Sequence, residues 1–189
     1  RIQAERAQTM IGRLESPTSS GPLHASFLRN ESKNLHKWHH YFEIYERFFA
    51  RFRDRAGLRL LEIGVFRGGS LDLWKAYFHR DALVVGVDID PACKAFARSD
   101  SNIAVEIGDQ SDPAFLKSVA LRYGPFDVII DDAGHMTSQQ IASFDALYPE
   151  ALTDDGVYLV EDLLTNFWRG FRDTKLSFVD LAKSLVDRL

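Results

Sequence analysis

The sequence predicts an α/β fold, a three-layer, doubly wound sheet whose strands run mostly parallel. Three observations carry this expectation. Short apolar runs alternate with helix-length segments from about residue 58 onward, the pattern of successive βαβ units with right-handed crossovers. The runs are continuous, as in Ala82-Leu83-Val84-Val85-Gly86-Val87 and Val128-Ile129-Ile130, so the strands are expected to be covered on both faces. A glycine-rich turn, Gly64 to Gly69, separates the first apolar run from a helix pattern, and strand, glycine turn and helix N-terminus together make a nucleotide-binding corner.

Taken in order, residues 1–14 suit a short helix with Ile2, Met10, Ile11 and Leu14 as its sparse apolar positions. Ser16-Pro17-Thr18-Ser19-Ser20-Gly21-Pro22 follows and reads as a linker. From about Trp38 to Phe52 the residues Tyr41, Ile44, Tyr45, Phe48, Phe49 and Phe52 recur at helical spacing, an aromatic stripe best read as core packing. Strands are expected over Leu58–Val65, Leu83–Asp88, Ile103–Ile107, Phe126–Asp131 and Gly156–Glu161, and helices over Ser70–Phe78, Pro91–Ala97, Asp112–Tyr123 and Thr137–Leu147. The chain closes on a helix-like stretch containing Phe178, Leu181, Ala182, Leu185 and Leu189.

The bulk numbers exclude several classes. At 189 residues the chain is most simply one domain with a proper core, and 46% hydrophobic with 26% charged residues is ordinary for a globular protein. A net charge of -4 argues against a nucleic-acid surface as the main business. The single cysteine, Cys93, excludes a disulfide framework and a cysteine-rich zinc site, and fits a reducing cytoplasm. No apolar run approaches the roughly 20 residues of a membrane span, and no secretory signal is visible in a chain that begins at Arg1. A cytoplasmic protein without membrane partners, and with a homo-oligomer among the expectations, is the resulting picture.

Ligands of open α/β sheets bind beyond the carboxyl ends of the strands, and here those ends are acidic. They give Glu62, then Asp88 and Asp90, then Gly108-Asp109-Gln110, then Asp131 and Asp132, and finally Glu161 and Asp162. Asp is a common turn residue, but a crevice so lined suits a cationic or hydroxylated ligand or a divalent metal. The glycine spacing narrows the ligand. A dinucleotide corner wants Gly-x-Gly-x-x-Gly to close amides on a pyrophosphate, whereas here Glu62 precedes the isolated Gly64 and the next pair is Gly68-Gly69. A wider turn containing a carboxylate favours a cationic ligand without phosphate, such as S-adenosylmethionine (SAM). Asp88, 26 residues beyond Glu62, can accept from ribose hydroxyls, or else serve as a turn or cap aspartate before Pro91. Asp109 and Gln110 can reach an adenine amino group, or be ordinary loop residues.

These residues together, Glu62-x-Gly64, Asp88, Gly108-Asp109-Gln110 and the strand Phe126–Asp131, resemble the class I SAM-dependent methyltransferases. A narrower resemblance rests on Asp131-Asp132-Ala133-Gly134-His135, Ser143-Phe144, Leu147-Tyr148-Pro149 and Gly156 to Leu163, with Lys37 to Tyr41 and Tyr45-Glu46 ahead of the first strand. It is to the metal-dependent, macrocin-type sugar O-methyltransferases and similar bacterial glycan-associated enzymes, and it covers about Lys37 to Leu189. Residues 1–36 are read as an N-terminal helix and linker, and the resemblance implies 37–189 as a Rossmann-like methyltransferase domain. It also implies two strands after Glu161 that this sequence does not display, so the domain is expected to be C-terminally incomplete. Ala133 stands where the group usually has glycine, Gln139 where it often has a second histidine, and Asp154-Asp155-Gly156 where it usually has paired glycines.

The implied function is SAM-dependent O-methylation of a sugar or glycosylated small molecule. His135 is the expected general base; a histidine capping the helix that begins near Thr137 is the alternative. Asp132, Glu161 and Asp162 come from neighbouring strand ends and match the metal ligands of the group. Clustered carboxylates repel unless a cation sits among them, and oxygen ligands favour Mg2+ or another hard divalent ion; capping of the next loop by Glu161 and Asp162 is the alternative. The expected donor-binding set is Glu62, Gly64, Phe66, Arg67, Ser70, Asp88, Asp109, Gln110 and Asp131, with Tyr41 over the crevice. His39 and His40, being adjacent, do not share a helix face and are not read as a metal pair. Phe167 and Trp168 read either as a stacking platform for a sugar or as core. The rival functions are an NAD-dependent oxidoreductase, disfavoured by the glycine spacing, and a non-catalytic module that keeps the fold.

Overall fold

The computed structural model describes residues 21–30 and 35–188. The helix expected over residues 1–14 and most of the expected linker lie outside the described residues. In chain order the elements are α1 (Pro22–Leu28), α2 (Tyr41–Phe49), β1 (Arg59–Ile63), α3 (Gly69–Tyr77), β2 (Leu83–Asp88), β3 (Ile103–Ile107), α4 (Pro113–Tyr123), β4 (Phe126–Asp131), α5 (Thr137–Leu147), β5 (Leu152–Val160) and α6 (Phe178–Val186). Short 3-10 turns cover Ala50–Phe52, Pro91–Phe96, Ser99–Ser101 and Leu163–Phe167.

The strands form one five-stranded sheet in the order β3-β2-β1-β4-β5, and every pair in it is parallel. Consecutive residues of one strand belong to opposite layers. Leu60, Val84, Val128 and Ile130 pack under α1, α2 and α3, while Leu61, Val85 and Ile129 pack under α4 and α5. That is why the strands read as unbroken apolar runs. The chain winds outward from β1 in one direction and from β4 in the other. The crevice beyond β1 and β4 is therefore the switch point at which this topology binds ligands.

Backbone pairing carries past the strand ends. The Gly64 N–H donates to the Val87 carbonyl at 2.8 Å, the Asp132 N–H to Ile63 at 2.8 Å and the Glu161 N–H to Asp131 at 2.9 Å. The residues expected to carry chemistry are thus fixed by ladder bonds to neighbouring strands.

Several elements differ from expectation, each for a physical reason. The segment Pro22–Leu28 is a helix, although its Gly21-Pro22 start reads as linker. Proline is tolerated in the first turn, and Leu23 is wholly buried in the main core cluster. The expected boundary at residue 36/37 therefore falls between two segments packed on the same core. The aromatic helix begins at Tyr41 after a turn at His39-His40. It buries Phe42, Tyr45, Phe49 and Phe52 and leaves Ile44 42% and Phe48 45% exposed, because one face cannot hold both sets of positions. The Pro91–Phe96 segment is a six-residue 3-10 turn capped by Asp90, whose Oδ1 accepts the Ala92 N–H at 2.9 Å. Strand β5 starts at Leu152, earlier than expected, but the pairing shifts from Phe126↔Leu152 to Val128↔Val157. Thr153 to Gly156 form the irregularity between, and Asp155 there pairs with Arg55 at 2.6 Å.

Among the described residues no helix is long and apolar enough to cross a membrane. The α2 face supplies a direct check of the packing. Phe49→Ala should cost about 3–5 kcal/mol of unfolding free energy in urea titration, whereas Phe48→Ala should stay within about 0.5 kcal/mol of the parent.

Candidate active site

The turn after β1 sets the geometry of the crevice. Gly64 has φ +105°, and a Cβ there would lie 2.2 Å from the Asp132 carbonyl oxygen; only glycine allows the β1 and β4 turns to approach so closely. Phe66 follows with φ 51°. The turn is clamped by Asp88, whose Oδ2 accepts the Val65 and Phe66 N–H groups at 2.9 Å each and whose Oδ1 accepts the Asp90 N–H at 2.9 Å. Burial raises the Asp88 pKa, but these backbone donors outweigh it and hold the carboxyl below its ordinary value.

Between the turns lies a cavity of about 300 Å³, lined among others by Gly64, Phe66, Asp88, Asp109, Gln110 and Asp132, at the small end of the range of small-molecule sites. Phe66 is 70% exposed and lines the cavity. Cys93 also lines it, its thiol donating to the Phe66 carbonyl at 3.2 Å. Gln110 lines the cavity, but its amide is engaged. Its Nε2 donates to Asp131 Oδ1 at 3.1 Å and its Oε1 accepts the Gly134 N–H at 3.0 Å.

The other expected donor-site residues lie elsewhere. Asp131 is buried under Gln110 and the Ser143 hydroxyl, and burial pushes its carboxyl up to about 6. Glu62 is wholly buried and accepts the Ser70 hydroxyl at 2.6 Å, so both point into the core and away from the cavity. Arg67 is exposed, with its guanidinium 5.5 Å from the Phe66 ring centre. Tyr41 lies over the end of β5, on Asp162.

A second centre adjoins the first through Asp132. His135 Nε2 lies 3.9 Å from Asp132 Oδ1 and 3.6 Å from Asp162 Oδ2. One ligand atom from each of the three residues falls within 4.8 Å of the others, a spacing that a single cation can span. His135 and Asp162 both adopt left-handed backbone, φ 57° and 53°, an uncommon state for non-glycine residues that clusters at functional sites. The Thr165 hydroxyl steadies the turn by donating to the His135 carbonyl at 3.1 Å and the Asp162 carbonyl at 2.8 Å. His135 Nδ1 is buried without a hydrogen-bond partner, and Nε2 is the ring atom nearest the two carboxylates.

Glu161, the remaining expected metal ligand, is not in that three-residue group and shares a buried lysine with Asp132. Its Oε1 accepts the Lys37 ammonium at 2.9 Å and the Tyr45 hydroxyl at 2.5 Å. Lys37, 2% exposed at its side chain, also bonds Asp132 Oδ2 at 2.5 Å and lies 3.8 Å from Glu62 Oε1. Burial alone would lower the lysine pKa; the Glu161, Asp132 and Glu62 carboxylates outweigh it and hold the ammonium charged. Burial pushes Glu161 up to about 7 against the pull of Lys37, and raises Glu62 as well.

Sequence reasoning quoted Lys37 and Ser143 only as parts of a resemblance, without roles, and passed over Gln140 and Asn166. These buried polar residues form a chain: Asn166 Nδ2 donates to Gln140 Oε1 at 2.8 Å, and the Phe178 N–H to Asn166 Oδ1 at 2.8 Å. The pair seats the segment after β5 on α5. The legible signal was polar spacing, Gln140 and Ser143 lying one turn apart on a helix otherwise expected to face the core. His39 pairs with His24 across 3.0 Å, and Phe167 and Trp168 are 69% and 52% exposed, which leaves their rings outside the core.

No family model matches the chain. It is 39% identical over 169 residues to the demethylmacrocin O-methyltransferase of Streptomyces fradiae, covering 81% of this chain and 41% of that protein. It is 43% identical over 167 residues to the 8-demethyl-8-alpha-L-rhamnosyl tetracenomycin-C 2'-O-methyltransferase of Streptomyces olivaceus, with 81% and 42% covered. Among solved structures, the MycE methyltransferase of the mycinamycin biosynthetic pathway in complex with Mg and SAH matches with a TM-score of 0.74 at 32% identity, covering 91% of this chain and 48% of that one. The chain thus spans less than half the length of these relatives.

The buried lysine gives the sharpest test of the local electrostatics. Lys37→Met should cost about 3 kcal/mol in urea unfolding, because it strands buried carboxylates. Adding Glu161→Gln, which keeps an acceptor for Tyr45, should recover at least half of that loss.

Proposed function

We propose, for a chain that has the class I methyltransferase fold and is homologous to antibiotic-sugar O-methyltransferases, that its activity is methyl transfer from SAM to a hydroxyl of a sugar or glycosylated small molecule, assisted by Mg2+. The observation that carries this reading is the shared wall: Asp132 lines the donor cavity and also belongs to the Asp132, His135, Asp162 cluster. A donor in the cavity and an acceptor at the cluster would meet at that residue.

The residues fit both groups. The cavity between the two turns presents exposed Phe66, exposed Asp109 and the half-buried Asp88 carboxylate, a surface suited to the ring, ribose and cationic parts of the donor. Asp132 and Asp162 each present one carboxylate oxygen toward the same point near His135, and oxygen donors from two carboxylates suit a hard divalent ion with waters and substrate hydroxyls completing its shell. When bound, SAM supplies an activated methyl group and the metal lowers the pKa of a hydroxyl that it holds. Glu161 already binds Lys37 and Tyr45 through Oε1, so its other oxygen, Oε2, is the one it could offer to that shell.

The chain's own part in the reaction is positioning and proton transfer. Displacement at a sulfonium is in line, so the walls of the crevice must align donor carbon and acceptor oxygen. His135 Nε2 takes the hydroxyl proton as the new C–O bond forms and the C–S bond breaks. His135 Nε2 lies within 4 Å of a carboxylate oxygen of Asp132 and of Asp162, so the proton acceptor stands beside the point where the acceptor hydroxyl would be held. A soluble sugar acceptor, with neither nucleic acid nor membrane as partner, agrees with the acidic crevice and a cytoplasmic setting.

The test is a methyl-transfer assay on glycoside acceptors together with calorimetric titration of S-adenosylhomocysteine (SAH). SAH should bind and NADH should not. His135→Ala should lower kcat by about 10²–10⁴-fold with SAH affinity retained. Unchanged turnover would remove His135 as base, and binding of NADH in place of SAH would overturn the donor assignment.

A further inference from the structure

We infer that Tyr41 is a positioning residue for the cation cluster, fixing the Asp162 carboxylate so that one of its oxygens is free to face a divalent ion. The inference rests on the metal reading above and deepens it. The Tyr41 hydroxyl makes a two-point contact with one residue. It donates to Asp162 Oδ1 at 2.7 Å and accepts the Asp162 backbone N–H at 3.1 Å. The same residue carries the left-handed φ of 53°, so one hydroxyl fixes both the side chain and the strained backbone that aims it. The opposite oxygen, Oδ2, is the one facing His135 Nε2 at 3.6 Å.

The neighbouring carboxylate is arranged in the same way. Lys37 holds Asp132 Oδ2 at 2.5 Å, and Asp132 Oδ1 is the atom that faces His135. Lys37 and Tyr41 stand four positions apart, at and just before the start of α2. Each therefore takes one oxygen of a facing carboxylate and leaves the other for the cluster. Groups that orient metal-binding side chains in this manner set affinity without touching the ion, and their loss typically weakens binding 10–100-fold. Tyr41 isolates this effect from charge, since its hydroxyl is neutral, whereas removal of Lys37 would also remove a cation that repels the metal.

The experiment is Mn2+ titration of wild-type protein and Tyr41→Phe, read by the electron paramagnetic resonance signal of free Mn2+. Calorimetric SAH binding in EDTA and the thermal midpoint of the metal-free protein are measured alongside. The ring of Tyr41 is kept, with its edge-on contacts to His40 and Tyr45, so the variant retains its packing. The expected result is Mn2+ affinity lowered about 10-fold, with SAH affinity within twofold of wild type. Mn2+ affinity unchanged in Tyr41→Phe overturns the inference and leaves the metal reading standing. Parallel loss of Mn2+ and SAH affinity, or a collapsed thermal midpoint, assigns Tyr41 a general structural role and also overturns it. Wild-type protein that binds SAH but no Mn2+ overturns the metal reading itself, and the inference with it.

Discussion

The acidic end of the sheet exists because an ammonium group is buried within it. Parallel strands covered on both faces push their polar residues to the carboxyl ends, and here β1, β4 and β5 deliver Glu62, Asp132 and Glu161 to one spot. Uncompensated, three carboxylates at such spacing would not stay charged in a low-dielectric interior. Lys37 offsets part of that charge, while Ser70 and Tyr45 supply hydrogen bonds. The strand ends can then converge closely enough to leave Asp132 and Asp162 facing one imidazole. Lys37 thus ties the chain before α2 to the ends of β1, β4 and β5.

Division of labour among like residues is the second feature of the site. Acidic side chains of similar sequence context take different roles because their surroundings differ. Asp88 spends both oxygens on backbone amides and shapes a turn. Asp131 is submerged beneath Gln110 and Ser143 and braces the β4 turn from below. Asp132, next in sequence, points the opposite way, as successive residues of an extended chain must, and reaches the crevice. Glu161 and Asp162 also diverge, one to Lys37 and one to His135, but there the left-handed backbone of Asp162 turns the side chain.

Much of the sheet was legible in the sequence because burial on both faces writes itself as continuous apolar residues, and the observed bounds of β2, β3 and β4 coincide with the expected ones. The bounds of α5, Thr137–Leu147, also coincide with the expected ones. What stayed hidden depends on contacts distant in the chain. Lys37 meets Asp132 and Glu161 across separations of 95 and 124 residues, and nothing local marks a lysine for burial. The helix α1 was masked by its glycine-proline start, and its seven residues are too few to show a period. On α2 the stripe was read too broadly, since Ile44 and Phe48 belong to a different side of the cylinder from Phe42, Tyr45 and Phe49. At the crevice, residue type and strand-end position were readable, but the direction of each carboxylate was not. It is set by which donor lies within reach.

The contact between Gly64 and the Asp132 carbonyl makes two loops into one mechanical part. With no side chain between them, the β1 turn cannot shift without carrying the β4 turn along. An occupant that stiffens the cavity therefore also stiffens the carboxylate that faces His135, and the reverse holds. Were both halves filled, ordering of one would lower the entropy that the other has left to lose, and the second occupant would arrive at a smaller cost than the first. Linkage requires that this advantage be equal in both directions. A single hydrogen atom, where any other residue would carry a Cβ, is what lets the two halves of the crevice meet backbone to backbone.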